Sequence, residues 1–296
     1  MKPISYLSAI VLAFSLQACS SLSTSSTQAV EQLVIAEPLT VHYKSEIALA
    51  RLSEVLTRAD ITDDQRAQLF YDRGVIYDSV GLRSLARLDF TRALRLKNDL
   101  VDAYNFLGIH LTQNQEFIQA YDQFDSAIEL APDHDYAYLN RGIALYYGGR
   151  AELAKEDLTT FHQQQVNDPY RILWLYLAER NVDPKTALAN LKLRATQVDD
   201  DVWGKEIIRL YAEEISQSAF IDTLTVGVSS SRELADRLCE GYFYLAKYQQ
   251  FSGNNNAAAN YFKLALSTNV YEFVEHRYAK LELQLMRETL VNSPQS

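Results

Sequence analysis

A self-match at 34 residues, running from Ala67 to Asp168, constrains this chain more than any other feature. Gly74, Gly108 and Gly142 share one phase, and Ala86, Ala120 and Ala154 share another twelve residues on. Phe90, Phe124 and Leu158 follow four later, then Ala93, Ala127 and Phe161 three after those. A large residue (Phe70, Tyr104, Tyr138) precedes each glycine by four, and Tyr77, Leu111 and Leu145 follow it by three. These offsets place large residues and the glycine on one face of a first helix, and a small–large–small stripe on a second. With no side chain at the crossing point, the two helices can approach closely. Such a pair cannot bury its apolar face alone, but stacked neighbours can, which is why units of this kind come in arrays.

The period and the order of large, small and aromatic positions are the signature of the tetratricopeptide repeat. The expected fold is therefore all-α, a tetratricopeptide-repeat helical solenoid with degenerate middle repeats and capping helices. Residues 44–296 read as one helical domain, with regular repeats at 67–100, 101–134 and 135–168. Beyond Asp168 the period breaks. Tyr170 to Arg180 predicts a short helix, and Asp183-Pro184 opens the next as an N-cap followed by proline. The irregular helices over 170–228 are either degenerate repeats or pairs that stack without obeying the consensus. The pattern returns over 239–272, and a helix over 273–291 is expected to cover the exposed end of the stack. A helix from Lys44, with Ala48, Leu52, Val55, Leu56 and Ala59 on one face, stands outside the phase. It either caps the solenoid or reaches a second subunit. Thr62 to Gln65 and Ser230 to Glu233 read as capping boxes.

The N-terminus carries a different message. Lys2 and the apolar run from Ile4 to Leu16 form a targeting segment over residues 1–18, too short to span a bilayer as a stable helix. It ends in Leu16-Gln17-Ala18-Cys19, which resembles the lipobox of bacterial lipoproteins, with Cys19 as the acylated first residue of the mature chain. Gln17 departs from the small residue usual there. Ser20, where such lipoproteins carry Asp for inner-membrane retention, implies the periplasmic leaflet of the outer membrane. Residues 19–43 start Ser/Thr-rich and read as an acylated N-terminus and flexible tether. The net charge of −10 leaves no electrostatic footprint for nucleic acid or anionic lipid.

No catalytic pattern emerges. The five histidines (His42, His110, His134, His162, His276) are scattered, and there is no HExxH, GxSxG or phosphate-binding glycine loop. Cys239 reads as a small core residue without a disulfide partner, and Asp199-Asp200-Asp201 as a solvated loop. The expectation is no enzyme, no cofactor and no metal. What remains is surface. The first helices of stacked repeats line a concave groove, whose inward positions include Tyr71, Val75, Asp78, Asp102, Asn105, Ile109, Tyr136, Leu139, Ile143 and Tyr146. The partner-binding candidates among them are Tyr71, Asp102, Asn105, Tyr136, Leu139, Ile143 and Tyr146. The chain holds 19 tyrosines, which suit either a binding face or packing between helices. The carboxylate clamp of chaperone-binding repeats is absent, because its positions hold Tyr71, Val75, Phe106, Tyr136 and Asn140.

The lipobox, SEIALARLSEVL (Ser45 to Leu56), DRGVIYDSVGLRSLAR (Asp72 to Arg87), NRGIALYYGGR (Asn140 to Arg150) and VEHRYA (Val274 to Ala279) together resemble the NlpI lipoprotein family over essentially the full length. That resemblance implies an outer-membrane-anchored homodimer acting as a non-enzymatic adaptor in cell-wall maintenance. Its implied partners are peptidoglycan hydrolases, among them a murein endopeptidase presented to a tail-specific periplasmic protease. The other class considered is a repeat-built lipoprotein of outer-membrane protein assembly.

Overall fold

The computed structural model describes residues 33–292; the targeting segment and Cys19 lie outside them. The described residues form fourteen helices and no strand. Three helical hairpins carry the regular repeats: α2 (Asp63–Ser79) with α3 (Arg83–Leu96), α4 (Val101–Gln113) with α5 (Phe117–Leu130), and α6 (Asp135–Tyr147) with α7 (Ala151–Gln164). The repeated glycines sit where the paired helices cross. A Cβ added at Gly74 would lie 2.8 Å from Phe90 Cε1, at Gly108 2.5 Å from Phe124 Cε1, and at Gly142 2.7 Å from Leu158 Cγ. Only a residue without a side chain fits there. Ala86, Phe90, Ala93, Ala120, Phe124, Ala127, Ala154 and Leu158 are fully buried opposite them.

The first and third hairpins also share an ion pair. Arg73, one residue before Gly74, donates to both oxygens of Asp89 at 2.6 and 2.9 Å, and Arg141 does the same to Asp157 at 2.7 Å each. Both arginines precede their glycine directly, and both aspartates precede the large residue of the second helix. The middle repeat holds Leu107 and Gln123 at these places. Buried bidentate pairs contribute geometric definition more surely than stability.

Ahead of the repeats, residues 36–42, assigned above to the tether, are docked. Leu39 N–H donates to the Thr268 carbonyl at 3.0 Å, and Asn269 Nδ2 donates to the Leu39 carbonyl at 3.3 Å. The first helix, α1 (Tyr43–Val55), turns its apolar stripe towards α2, with Leu56 buried just beyond its end. Arg73 Nη1 ties the two helices by donating to Ser53 Oγ at 3.0 Å. Tyr43 and Ile47 stay exposed. The Thr62 capping box forms in full: Gln65 N–H donates to Thr62 Oγ1 at 3.2 Å, and Thr62 N–H to Gln65 Oε1 at 2.9 Å. The Ser230 box is displaced by one residue, because Glu233 Oε2 accepts from the N–H of Ser229 at 2.8 Å rather than from that of Ser230.

The segment after Asp168 is more regular in shape than its sequence suggests. Asp168 caps α8 (Pro169–Val182) with Pro169 in the first turn, and ten of that helix's residues are buried around its circumference. A helix apolar on all sides belongs in the middle of a protein. Helices α9 (Pro184–Ala195), α10 (Gly204–Tyr211) and α11 (Gln217–Thr223) follow, the last two short. The long α12 (Ser231–Phe251) begins eight residues before Cys239, which is buried within it. Ala258, Phe262 and Ala265 pack α13 (Asn255–Ser267) onto it. The last helix, α14 (Val274–Asn292), packs on the closing pair, α12 and α13, and also reaches back to α4.

Candidate functional site

Helices α2, α4, α6 and α8 are the first members of successive pairs, and α14 touches all four. Arg277 Nη2 donates to Asp78 Oδ2 of α2 at 2.5 Å, and its guanidinium lies 6.0 Å from the Phe106 ring of α4. Tyr147 at the end of α6 donates its hydroxyl to Glu282 at 2.9 Å. The Tyr278 ring meets Trp174 of α8 edge-on, with centroids 6.0 Å apart. The chain's own C-terminal helix thus lies along the concave side of its repeats. It is held by polar groups that are themselves buried: Lys247 donates to Glu282 at 2.5 Å, and His110 Nε2 pairs with Asp78 at 2.7 Å. Burial works against the charge on Lys247, and Glu282 with the Tyr146 hydroxyl outweighs it, so its pKa stands above the usual lysine value. Burial also raises the Asp78 carboxyl, yet His110 and Arg277 outweigh it and leave the group more acidic than usual.

This arrangement sorts the seven candidate residues. Ile143 is fully buried, and Leu139, Asn105 and Tyr146 are nearly so. Tyr146 packs edge-on against Trp174, under the Lys247 ammonium at 5.2 Å, so it supports the face from beneath. Asn105 accepts from Asn140 Nδ2 at 3.0 Å and ties α4 to α6. Tyr71 is half-buried against Phe90, and burial, followed by the nearby Asp102, pushes its hydroxyl up to about 12. Asp102 is exposed and paired with His134 at 2.9 Å. Tyr136 is 59 % exposed.

Tyr136 and Leu139 line an open cavity of about 300 Å³. Leu139, Phe161 and Trp174 form its apolar floor, and the start of α14 its rim. Its acids are Asp168 at the end of the third repeat, and Glu240, Glu272 and Glu275 further along the chain. Glu240 of α12 accepts from the Tyr170 hydroxyl at 2.6 Å, and Glu275 of α14 accepts from the Tyr244 hydroxyl at 3.2 Å. Burial and the neighbouring Glu275 raise Glu240 to about 8, and burial raises Glu275 to about 7. Arg171, over the Phe161 ring at 3.9 Å, is already committed to Asp135 at 2.9 Å and to the Phe161 carbonyl. The cavity therefore offers aromatic surface and carboxylates that a cation would hold ionised. Periodicity could not point to Glu240 or Glu275, because Glu240 is not a pattern position of the repeat over 239–272 and Glu275 lies beyond it.

Among the described residues, no cluster of three or more His, Cys, Asp or Glu is placed to hold a metal ion, and no helix is long and apolar enough to cross a membrane. Cys239 is buried, and burial raises its thiol well above the usual value, away from the reactive thiolate.

The described residues form an all-α helical solenoid with the fold of tetratricopeptide-repeat structures. Comparison with a solved structure agrees at the level of the fold. A tetratricopeptide repeat protein from Parabacteroides merdae superposes with a TM-score of 0.54 at 16% identity, over 82% of this chain and 92% of its own. PilF of Pseudomonas aeruginosa reaches a TM-score of 0.45 at 14% identity over 81% and 90%. YrrB, described as a TPR protein with an unusual peptide-binding site, reaches 0.43 at 13% over 79% and 97%. No family model matches the chain.

Proposed function

We propose that the protein is a non-enzymatic adaptor that docks a segment of a partner protein at the open cavity beside Tyr136. The observation that carries the reading is an exposed tyrosine at the mouth of an acidic, aromatic-floored cavity of about 300 Å³, built on packed helices. Such a surface is organised before binding, so little ordering entropy is lost on association. Its chemistry favours a segment presenting a lysine or arginine beside apolar residues, by charge pairing and by cation–π contact with the rings. The resemblance stated above supplies the biological setting. Anchored through acylated Cys19 to the outer membrane and facing the periplasm, a homodimer would hold peptidoglycan hydrolases and present a murein endopeptidase to a tail-specific protease. The exposed Tyr43 and Ile47 of α1 are the apolar residues this reading assigns to the dimer contact. The test is separability: Tyr136→Ala weakens binding of one of the two enzymes and leaves the other unchanged. Equal binding of both by the variant would remove the cavity as a docking site.

A further inference from the structure

A second cavity, of about 290 Å³, lies between the N-terminal turns of α3, the last turns of α4 and the outer side of α14. Its character is opposite to that of the first. In a chain of net charge −10, four cationic side chains converge on it: Arg83, Arg87, Arg277 and Lys280. Two are already neutralised, Arg277 by Asp78 at 2.5 Å and Arg87 by Glu116 at 3.1 Å. Arg83 makes no hydrogen bond or ion pair among the described residues, and neither does Lys280, which is exposed. Burial, reinforced by the charge of Arg277, lowers the pKa of Arg83 even though Asp78 opposes the shift, as expected of a cation lacking a direct counter-ion.

The neutral lining is equally incomplete. Both polar atoms of the Gln113 amide are buried without a partner, and so is Nδ1 of His110, a residue only 4% exposed. Buried polar groups are normally satisfied, and leaving one unmade costs about 1–3 kcal/mol. The unpartnered Gln113 N–H groups and two free positive charges around one cavity call for the same missing component, an acceptor-rich anion.

We infer that this cavity is a binding site for a phosphate group, held by Arg83 and Lys280 with the side-chain N–H groups of Gln113 completing its shell. A carboxylate would answer only one of the two free charges, whereas a phosphate dianion answers both and offers more acceptor oxygens to the guanidinium and amide donors. Because the shell spans α3, α4 and α14, an occupant clamps the C-terminal helix onto the repeats, and binding stabilises the folded chain.

Two sources share this chemistry, free inorganic phosphate and a phosphate monoester such as a headgroup, and the test separates them. The full chain is titrated with inorganic phosphate and with glycerol phosphate, each against chloride at matched ionic strength, following the thermal midpoint and the heat of binding. Both probes bind and raise the midpoint; tighter binding of glycerol phosphate assigns the ester, and equal or weaker binding assigns the free ion. Arg83→Gln and Lys280→Gln each weaken the response by about tenfold or more, the size expected for a charge-assisted contact. Lys280 is on the surface, so its variant reports even if the Arg83 variant fails to fold. If neither probe shifts the midpoint, or if Lys280→Gln responds as the unmodified chain does, the cavity holds water and the inference is wrong.

Discussion

Replacing Gly108 by alanine tests the repeat register most sharply, because two effects of opposite sign compete there. Alanine in a helix interior gains about 1 kcal/mol over glycine through backbone entropy. Against this, the new Cβ would lie 2.5, 2.6 and 2.8 Å from three atoms of the Phe124 ring. Ordinary carbon contacts are about 3.5–4.0 Å, so the ring must retreat by roughly 1 Å. Phe124 has no exposed surface, and it can move only by displacing its neighbours. Overpacking of that kind costs about 1–3 kcal/mol, leaving a net loss of up to about 2 kcal/mol. The sign should reverse once the ring is gone. In a Phe124→Ala background, itself about 3–5 kcal/mol less stable, Gly108→Ala should stabilise by up to about 1 kcal/mol. Urea unfolding followed by circular dichroism on the four chains of this cycle gives both numbers and their coupling. If Gly108→Ala stabilises the otherwise unaltered chain by the full propensity gain, α4 and α5 do not cross at Gly108.

Two further predictions concern buried charge. Glu240 and Glu275 have folded values of about 8 and about 7 against an ordinary 4.5, so their contribution to stability is complete below pH 4.5 and is lost as the pH rises through 7 to 8. Stability should fall between about pH 4.5 and pH 8 by several kcal/mol, and Glu275→Gln should flatten the decline in a pH series of unfolding curves; an unchanged slope would mean that the pair is not buried together. Asp89→Ala leaves Arg73 without its bidentate partner and should cost about 3–5 kcal/mol, whereas Arg73→Leu with Asp89→Gln, which copies the middle repeat, should come close to neutral. A double variant as unstable as the single would show that the pair contributes net stability.

The repeats were legible because their spacing is a backbone constraint. A helix crossing demands Gly108 opposite Phe124 wherever the hairpin occurs, and the same demand recurs 34 residues away on either side. Position on the inward face was legible too, but accessibility was not. Ile143 and Tyr146 point inward as the phase requires, and both are buried, Tyr146 under Trp174 of α8 and Lys247 of α12. Nothing in α14 signals its place along the repeats from sequence. Glu275, His276 and Arg277 are side chains that ordinarily stay at the surface, and Arg277 is buried by an aspartate 199 residues earlier in the chain. Long-range polar pairing leaves no period. The same holds for Glu240 and for the free Arg83, whose roles depend on which helix packs opposite.

The measurement that bears most directly on the adaptor reading is calorimetric binding of the endopeptidase and of the protease, separately, to the unmodified chain and to Tyr136→Ala. Tyr136 is 59 % exposed, so its loss should change folding stability by no more than about 0.5 kcal/mol, checked first by urea unfolding. A tyrosine anchor at the centre of an interface is worth about 2 kcal/mol or more, which is at least about thirtyfold in Kd. The account predicts that loss for one enzyme, with the other bound as tightly as before. Tight and unaltered binding of both enzymes by the folded variant would contradict it.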